Sequence, residues 1–124
     1  MKVVELMNKA VVTCQPSEKL YGVMNKFELF NIAGMPVVDK NGKMIGIVCQ
    51  SDILKGLKTG NMNELSVSDV MSTEVITAAP TESAVVVAKI MVEKHINRIP
   101  IVENEKVVGI VTRGDIIKAV AECG

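Results

Sequence analysis

Residues 109–116 read GIVTRGDI, and residues 46–53 read GIVCQSDI. In both stretches an apolar run ends at a threonine or a cysteine, an aspartate follows three residues later, and a new apolar run begins. The apolar run suits a buried strand, and the residues after it suit the first turn of a helix. The chain therefore contains the same strand-to-helix turn twice.

The repetition extends over most of the chain. The matches keep one spacing up to the turn near residue 41 and a spacing one residue shorter after it. They include these pairs: Met7 and Met71, Thr13 and Thr77, Pro16 and Pro80, Pro36 and Pro100, Gly46 and Gly109, Asp52 and Asp115, Lys55 and Lys118. Such matches indicate an internal duplication. A polar stretch at 59–65 marks the boundary, so we predict one repeat at 1–60 and a second at 61–124.

Each repeat begins with the same predicted elements. A short apolar segment, at 11–13 or 75–77, precedes a proline, and a helix follows the proline. Ser17 and Thr81 are the predicted N-caps of these helices, because a hydroxyl oxygen can accept a hydrogen bond from an otherwise unpaired N–H group of the first turn. Apolar residues at helical spacing then predict one buried face for each helix.

Two apolar strands and a last helix complete each repeat. The first pair of strands is joined through Asn41 and Gly42, a strong signal for a hairpin. The last helices are predicted at about 51–58 and 114–121. The order β-α-β-β-α predicts an α/β (α+β) fold. Because repeats of about sixty residues are marginally stable alone, we expect them to pack face to face about a pseudo-twofold axis.

Composition excludes several functional classes. Lysine plus arginine number 14, and aspartate plus glutamate also number 14, so no basic field would attract a phosphate backbone. The chain has no Trp, one Tyr and two Phe, too few for the aromatic platforms that bind single-stranded nucleic acids. The hydrophobic content of 48% is enough for a packed core. We expect a globular protein that does not bind nucleic acid.

Cysteine usage and the N-terminal sequence indicate the compartment. Cys14, Cys49 and Cys123 are odd in number and lack CxxC spacing, which argues against a disulfide framework or a zinc site. Glu5 and Lys9 interrupt the first apolar stretch, which is therefore unlike a secretory signal. Every apolar run is shorter than the roughly 20 residues that a membrane helix needs. We predict a cytoplasmic protein that does not contact a membrane.

Two explanations fit the turn at 112–115. In the first, Thr112 caps the last helix and Asp115 reaches back to it, as in a capping box, although that box normally uses Glu or Gln. In the second, the turn binds a nucleotide. The free N–H groups of the helix start, the Thr112 hydroxyl and Arg113 suit a phosphate, and Asp115 can accept both hydroxyls of a ribose. The residues alone leave both explanations open.

The two repeats resemble the cystathionine-β-synthase (CBS) domain pair, often called a Bateman module. The resemblance covers nearly the whole chain. It rests on the proline-led apolar stretches at 36–38 and 100–102, on the hairpin, and on the repeated stretches at 46–53 and 109–116. It implies a regulatory module that binds adenosine-containing ligands in clefts between the repeats and assembles as a flat dimer. It therefore favours the ligand explanation of the turn.

The resemblance also implies which segments complete each site. The carboxylate of one repeat is expected to face the first segment and the pre-proline residues of the other. Asp115 would then face the residues around 11–13 and 34–36, and Asp52 those around 75–77 and 97–100. The full set of ligand-binding residues so implied is Thr13, Gly34, Met35, Pro36, Ser51, Asp52, Thr77, Arg98, Ile99, Pro100, Thr112, Arg113 and Asp115.

The two implied sites are chemically unlike. Cys49 stands in the first repeat where Thr112 stands in the second, and a thiol is a weak donor. Arg98 occupies a position at which the family often has a phosphate-binding arginine, and the resemblance assigns it to the site of Asp52. Its counterpart Gly34 has no side chain. We expect the Asp115 site to bind adenosine better, because its contacts lie on one rigid turn.

Catalytic motifs are missing from the sequence. His95 is the only histidine, so a metal site or a histidine relay has no partner residues, and His95 is expected to end a helix. The sequence has neither a P-loop nor a dinucleotide-binding fingerprint. We expect no enzymatic activity, no required cofactor and no preformed metal site, although magnesium could accompany a polyphosphate ligand.

The expected function is therefore ligand sensing. The candidate ligands are AMP, ADP, ATP and S-adenosylmethionine, and the readout would go to a separate regulated protein or to the assembly state. The alternative is a ligand-free structural module whose product is dimerisation. A homodimer is predicted because the first helix of the second repeat is apolar on more than one side. The residues that widen its apolar stripe are Val85, Val86, Ile90 and Val92.

Overall fold

The computed structural model describes residues 1–123 and divides the chain into two compact units. The first unit is Val12–Val75, and the second combines Met1–Val11 with the residues from Ile76 onward. The first unit contains α1 (Leu20–Phe30), β1 (Gly34–Val38), β2 (Met44–Cys49), α2 (Gln50–Thr59) and α3 (Val67–Val70). The second contains a 3₁₀ turn (Val3–Glu5), α4 (Ala84–Lys94), β3 (Arg98–Glu103), β4 (Lys106–Thr112) and α5 (Arg113–Cys123).

Each unit has one antiparallel hairpin and the two long helices predicted from its repeat. In the first unit β1 pairs with β2, and Gly42 in the turn has a φ of 83°, as the Asn-Gly signal predicts. Asp39 Oδ1 accepts hydrogen bonds from the Asn41 and Lys43 N–H groups, both at 2.9 Å. In the second unit β3 pairs with β4 through a turn with two left-handed residues, Asn104 and Glu105.

The prediction that each repeat begins with a strand, at 11–13 and 75–77, is wrong. Cys14 makes a single parallel bridge to Val37, and Ala78 makes a single parallel bridge to Ile101. Cys14 N donates to the Pro36 carbonyl (3.1 Å), and the Cys14 carbonyl accepts from Val38 N (2.9 Å). The pairing cannot extend in the first unit because Pro16 follows two residues later and lacks an N–H group.

The predicted N-caps at Ser17 and Thr81 are also wrong. The helices begin at Leu20 and Ala84, two residues after the predicted starts, because a separate tight turn lies between the proline and the helix. In the first unit this turn is closed by Glu18 N donating to the Gln15 carbonyl at 3.1 Å. In the second unit the actual cap is Ser83, whose hydroxyl accepts from Val85 N at 3.2 Å.

Each unit has its own hydrophobic core beneath its hairpin. The core of the first unit consists of Cys14, Leu20, Val23, Phe27, Met35, Val37, Val48, Ile53 and Val67. The core of the second unit consists of Val3, Val87, Met91, Ile99, Ile101 and Val111. Aliphatic side chains dominate both cores, as the near absence of aromatic residues predicts.

Each unit contains the opening segment of the repeat that otherwise forms the other unit. Val3 is fully buried in the core of the second unit, and its N–H group donates to the Glu82 carbonyl at 2.9 Å. Asn8 and Ile110 exchange two backbone hydrogen bonds, at 2.9 and 3.0 Å. The corresponding segment around Val67 packs in the same way in the first unit. Each core is therefore completed by residues that belong to the other repeat in sequence.

Two glycines lie under the exchanged segments, and replacing them should reveal how rigid each contact is. A Cβ on Gly46 would lie 2.8 Å from the Ser72 carbonyl oxygen, which accepts a hydrogen bond from Ile47 N, and Ser72 N donates a second one to the Ile47 carbonyl. A Cβ on Gly109 would overlap Sδ of the flexible Met7 side chain and lie 2.8 Å from its Cγ. Overpacking costs about 1–3 kcal/mol, so we expect Gly46→Ala near the top of this range and Gly109→Ala near the bottom.

Urea unfolding of the full chain measures this difference. Gly22→Ala is the control, because its Cβ would meet nothing within 4 Å inside a helix and should stabilise by up to about 1 kcal/mol. Met7→Ala should restore part of the stability lost in Gly109→Ala, because it removes the clashing side chain. Equal losses in the two glycine variants would contradict the prediction.

Candidate ligand site

The turn of the second unit forms a complete capping box. The Thr112 N–H group and hydroxyl both donate to Asp115 Oδ2, at 2.8 and 3.0 Å, and Asp115 N donates to Thr112 Oγ1 at 3.3 Å. The capping explanation is therefore correct. The two bonds that Thr112 donates converge on Oδ2, which leaves Oδ1 for a further donor. Capping and ligand binding are compatible at this turn.

Arg98 lies beside this turn. It is the register partner of Thr112 in the β3–β4 hairpin, so the two side chains lie on the same face of the sheet. Arg113 opens α5, and its N–H group donates to the Asn97 carbonyl at 2.8 Å. Arg98 and Arg113 are thus the backbone neighbours of Thr112 across the hairpin and along the chain. The assignment of Arg98 to the site of Asp52 rests on the resemblance alone and stays a prediction.

The turn of the first unit has the same backbone and different side chains. Cys49 N donates to Asp52 Oδ2 at 2.7 Å, and the Cys49 thiol takes the place of the threonine hydroxyl in the capping box. Gly34 is the register partner of Cys49, and Gln50 N donates to the Ala33 carbonyl at 3.0 Å. Asp52 is only 8% exposed, whereas Ser51 is exposed.

The remaining predicted site residues differ in what they can offer to a ligand. Met35 and Ile99 are fully buried in the two cores, so only their backbone groups can reach a ligand. Thr13 and Thr77 immediately precede the residues that bridge to β1 and β3, which places each of them next to the proline of its own repeat. That each turn faces segments of the opposite repeat stays a prediction.

Lys26 is a neighbour of Thr13 that the sequence analysis missed. Its Nζ donates to the Thr13 carbonyl at 2.9 Å and to Glu18 Oε1 at 2.8 Å. Lys26 aligns with Ile90 in the second repeat, so the duplication pattern gave no reason to select it. The ion pair with Glu18 balances its charge.

Burial raises the pKa of the Cys14 thiol to about 12, with a smaller contribution from the nearby negative charge of Glu18. At pH 8 the thiol of folded Cys14 should therefore react with iodoacetamide about a thousandfold more slowly than a thiol of ordinary pKa. Cys49, which is half-buried, should react before Cys14. Because the raised pKa belongs to the folded state, the contribution of Cys14 to stability should fall as the pH rises from about 9 towards 12.

Peptide mass spectrometry after timed labelling separates the cysteines and checks this order. The same experiment in concentrated urea is the control, since unfolding should make Cys14 as reactive as Cys49. Labelling of Cys14 in the folded protein at the rate of Cys49 would show that the thiol is not protected.

The long helices leave an apolar groove on each unit. In the second unit a groove of about 460 Å³ lies between α4 and α5, lined in part by Ala88, Val92 and Val120. In the first unit a groove of about 530 Å³ lies between α1 and α2 and includes Met24 and Leu54. The sequence pattern indicates such a surface only on the first helix of the second repeat, whereas both units expose large apolar side chains.

Among residues 1–123, no helix is both long and apolar enough to cross a membrane. Within the same residues, no group of three or more histidine, cysteine, aspartate or glutamate side chains is arranged to hold a metal ion.

Both repeats are similar in sequence to known proteins. The profile of the CBS domain family matches residues 3–59 and 67–122. Protein MJ1426 of Methanocaldococcus jannaschii is 33% identical, and the match covers 96% of this chain and 90% of MJ1426. Inosine-5′-monophosphate dehydrogenase of the same organism is 31% identical over 92% of this chain, but the match covers 22% of that enzyme.

A solved structure is similar in both fold and sequence. The CBS domain pair of protein MJ0100, in complex with 5′-methylthioadenosine and S-adenosyl-L-methionine, superimposes with a TM-score of 0.90 at 30% identity. The match covers 100% of this chain and 98% of that one. The fold class predicted from the sequence is therefore confirmed.

Proposed function

Because the chain belongs to the CBS domain family, we propose that it is a regulatory module that binds adenosine-containing ligands at its strand-to-helix turns. The observation that carries the proposal is the helix start of the second unit, where Thr112 orients the Asp115 carboxylate and Arg98 is the strand partner of Thr112. The adenosyl ligands of the MJ0100 domain pair support the ligand class. The candidates are AMP, ADP, ATP and S-adenosylmethionine.

Asp115 is the proposed ribose acceptor. Thr112 holds its Oδ2 atom through two hydrogen bonds, so the carboxylate is already oriented before a ligand arrives. Its Oδ1 atom can then accept ribose hydroxyls without breaking the helix cap. Hydrogen bonds to a charged group contribute about 1.5–3 kcal/mol each, so an oriented carboxylate gains affinity without an ordering cost. Asp52 has the same proposed role in the first unit.

The module is proposed to act without catalysis and to pass its ligand state to a separate protein or to its own assembly. His95 ends α4 in a left-handed conformation with a φ of 54°, which is a structural role for the only histidine. Cys14 and Cys49 form no disulfide, and reduced thiols suit a reducing cytoplasm.

A thermal-shift panel of AMP, ADP, ATP, S-adenosylmethionine and 5′-methylthioadenosine tests the proposal. A ligand at 100 times its Kd adds about 2.7 kcal/mol of stability, which should raise Tm by on the order of 10 °C. Guanosine monophosphate is the control for base recognition and should give a smaller shift than AMP. No shift with any adenosine compound would reject ligand sensing and favour the structural alternative.

A homodimer is the proposed assembly, with the apolar grooves as its contact surfaces. Val92 is 73% exposed on α4, and apolar patches of this kind mark interaction sites. Lys89 and Glu93 on the groove place one charge of each sign beside the apolar residues. In a twofold-related pair, a contact between Lys89 of one copy and Glu93 of the other would form twice.

A further inference from the structure

The grooves of the two units differ in the size of their side chains, although they lie between equivalent helices. Met24 aligns with Ala88 in the duplication, and each lines the groove of its own unit. Met24 and Leu54 are large and exposed on the first unit, at 39% and 64%. The groove of the second unit is lined by three alanines, Ala84, Ala88 and Ala119. Large side chains on one groove therefore correspond to small ones on the other.

The grooves also differ in charge. Glu28 is the one charged residue among the described residues that line the groove of the first unit, and it aligns with the uncharged Val92. The groove of the second unit is lined by Lys89 and Glu93. Glu28 and Lys89 are both exposed, and neither forms an ion pair with another described residue. Burying such a charge in an interface is costly unless an opposite charge meets it.

We infer that the dimer pairs unlike grooves, so that the first-unit groove of one copy packs against the second-unit groove of its partner. This assignment rests on the proposed function, because it presupposes a homodimer that uses the grooves. It adds which surface meets which. Twofold symmetry makes the contact between unlike grooves form twice in each dimer.

Pairing unlike grooves gives Glu28 a counterion. Its carboxylate would face the partner's groove that contains Lys89, and charge complementarity of this kind selects among possible orientations. Pairing like grooves would instead bring Glu28 near the same residue of the partner, because a twofold axis through the contact relates equivalent residues. Two carboxylates in one interface repel each other. A contact between Lys89 and Glu93 of two second units would leave Glu28 without a cation.

Side-chain size favours the same pairing. Facing layers interdigitate when large side chains lie opposite small ones. Met24 and Leu54 of one copy would enter the partner's groove, where Ala88 stands at the position equivalent to Met24. Against a copy of their own groove, the same two side chains would meet equally large ones, and overpacking is destabilising. Size and charge therefore indicate one arrangement.

Cross-linking of the full chain with a short bis-maleimide tests the arrangement. The background carries Cys49→Ser and Cys123→Ser, which leaves one native thiol, and that one is buried. Met24→Cys and Ala88→Cys proteins, refolded together, should give covalent dimers that link one variant to the other. Either variant alone should give few. Val86→Cys is the control and should give few with either partner, because Val86 is exposed on the same helix but outside the groove.

Exchanging the two charges gives an independent measurement. Glu28→Lys and Lys89→Glu should each raise the dimer dissociation constant by about tenfold or more, because each places like charges at two equivalent contacts. The double variant restores opposite charges and should dimerise within about threefold of the unaltered protein, since residues in contact are not additive. Sedimentation equilibrium measures all four dissociation constants. Both residues are exposed, so these variants should fold even if a cysteine variant does not.

The outcomes separate this assignment from the proposed function. Cross-linking of either cysteine variant to itself as efficiently as in the mixture would overturn the pairing of unlike grooves and leave the homodimer intact. A double charge variant that dimerises no better than the single variants would do the same. If the unaltered protein is a monomer at every concentration tested, the proposed homodimer fails and the assignment fails with it.

Discussion

Replacing Asp115 with alanine is expected to weaken the tighter AMP binding event by about tenfold to a hundredfold. The carboxylate is the proposed acceptor for the ribose hydroxyls, and each charge-assisted hydrogen bond contributes about 1.5–3 kcal/mol. The substitution also removes the acceptor of two hydrogen bonds from Thr112, so α5 should lose about 1 kcal/mol of stability. Isothermal titration calorimetry measures the first effect, and urea unfolding measures the second.

Two controls separate ligand contact from helix capping. Asp115→Asn keeps an acceptor oxygen for the Thr112 N–H group and should nearly retain stability, yet it should still weaken AMP because the charge is gone. Asp52→Ala should spare the tighter AMP event, because Asp52 lies at the turn that lacks the arginines. Equal AMP losses for Asp115→Ala and Asp52→Ala, or a larger loss for the latter, would show that the two turns have been ranked wrongly.

A glutamate in place of Val92 is expected to convert the proposed dimer into a monomer at micromolar concentration. Val92 lines the groove between α4 and α5 and is 73% exposed in the single chain, so the substitution should cost the isolated fold little. In a dimer the carboxylate would be buried without a partner. Such burial costs roughly 3–5 kcal/mol, which would raise the dimer dissociation constant more than a hundredfold.

Sedimentation velocity of the full chain measures the assembly state. Val86→Glu is a matched control, because Val86 is exposed on the same helix but does not line the groove. That variant should remain dimeric. If the unaltered protein sediments as a monomer, or if both variants are dimers, the α4–α5 groove is not the contact surface.

The sequence by itself determined the architecture of the repeats. Duplicated positions such as Asp52 and Asp115 identified two copies of one unit, and apolar periodicity identified the hairpins and the long helices. The reason is physical, because turn chemistry at Asn41-Gly42 and burial patterns along a strand are local properties. The same local reasoning identified the turn at 112–115 as both a capping box and a candidate site, and the structure contains the complete box.

Local patterns were insufficient where a short segment depends on its neighbours. The apolar residues at 11–13 and 75–77 read as strands, but each segment makes one bridge to its hairpin. Ser17 and Thr81 read as caps, but a turn closed by Glu18 or Glu82 delays each helix by two residues. Propensity is weak over a few residues, so tertiary contacts decide their conformation.

Only the tertiary structure decided which distant residues share a unit. The exchange of Met1–Val11 into the second unit depends on burying Val3 and on hydrogen bonds to Glu82 and Ile110, residues far away in the sequence. The register of β3 and β4 likewise places Arg98 opposite Thr112, and so brings two arginines to one turn. A sequence pattern records which residues are apolar or charged, whereas strand register and core packing select the side chains that meet, because both depend on contacts between segments distant in sequence.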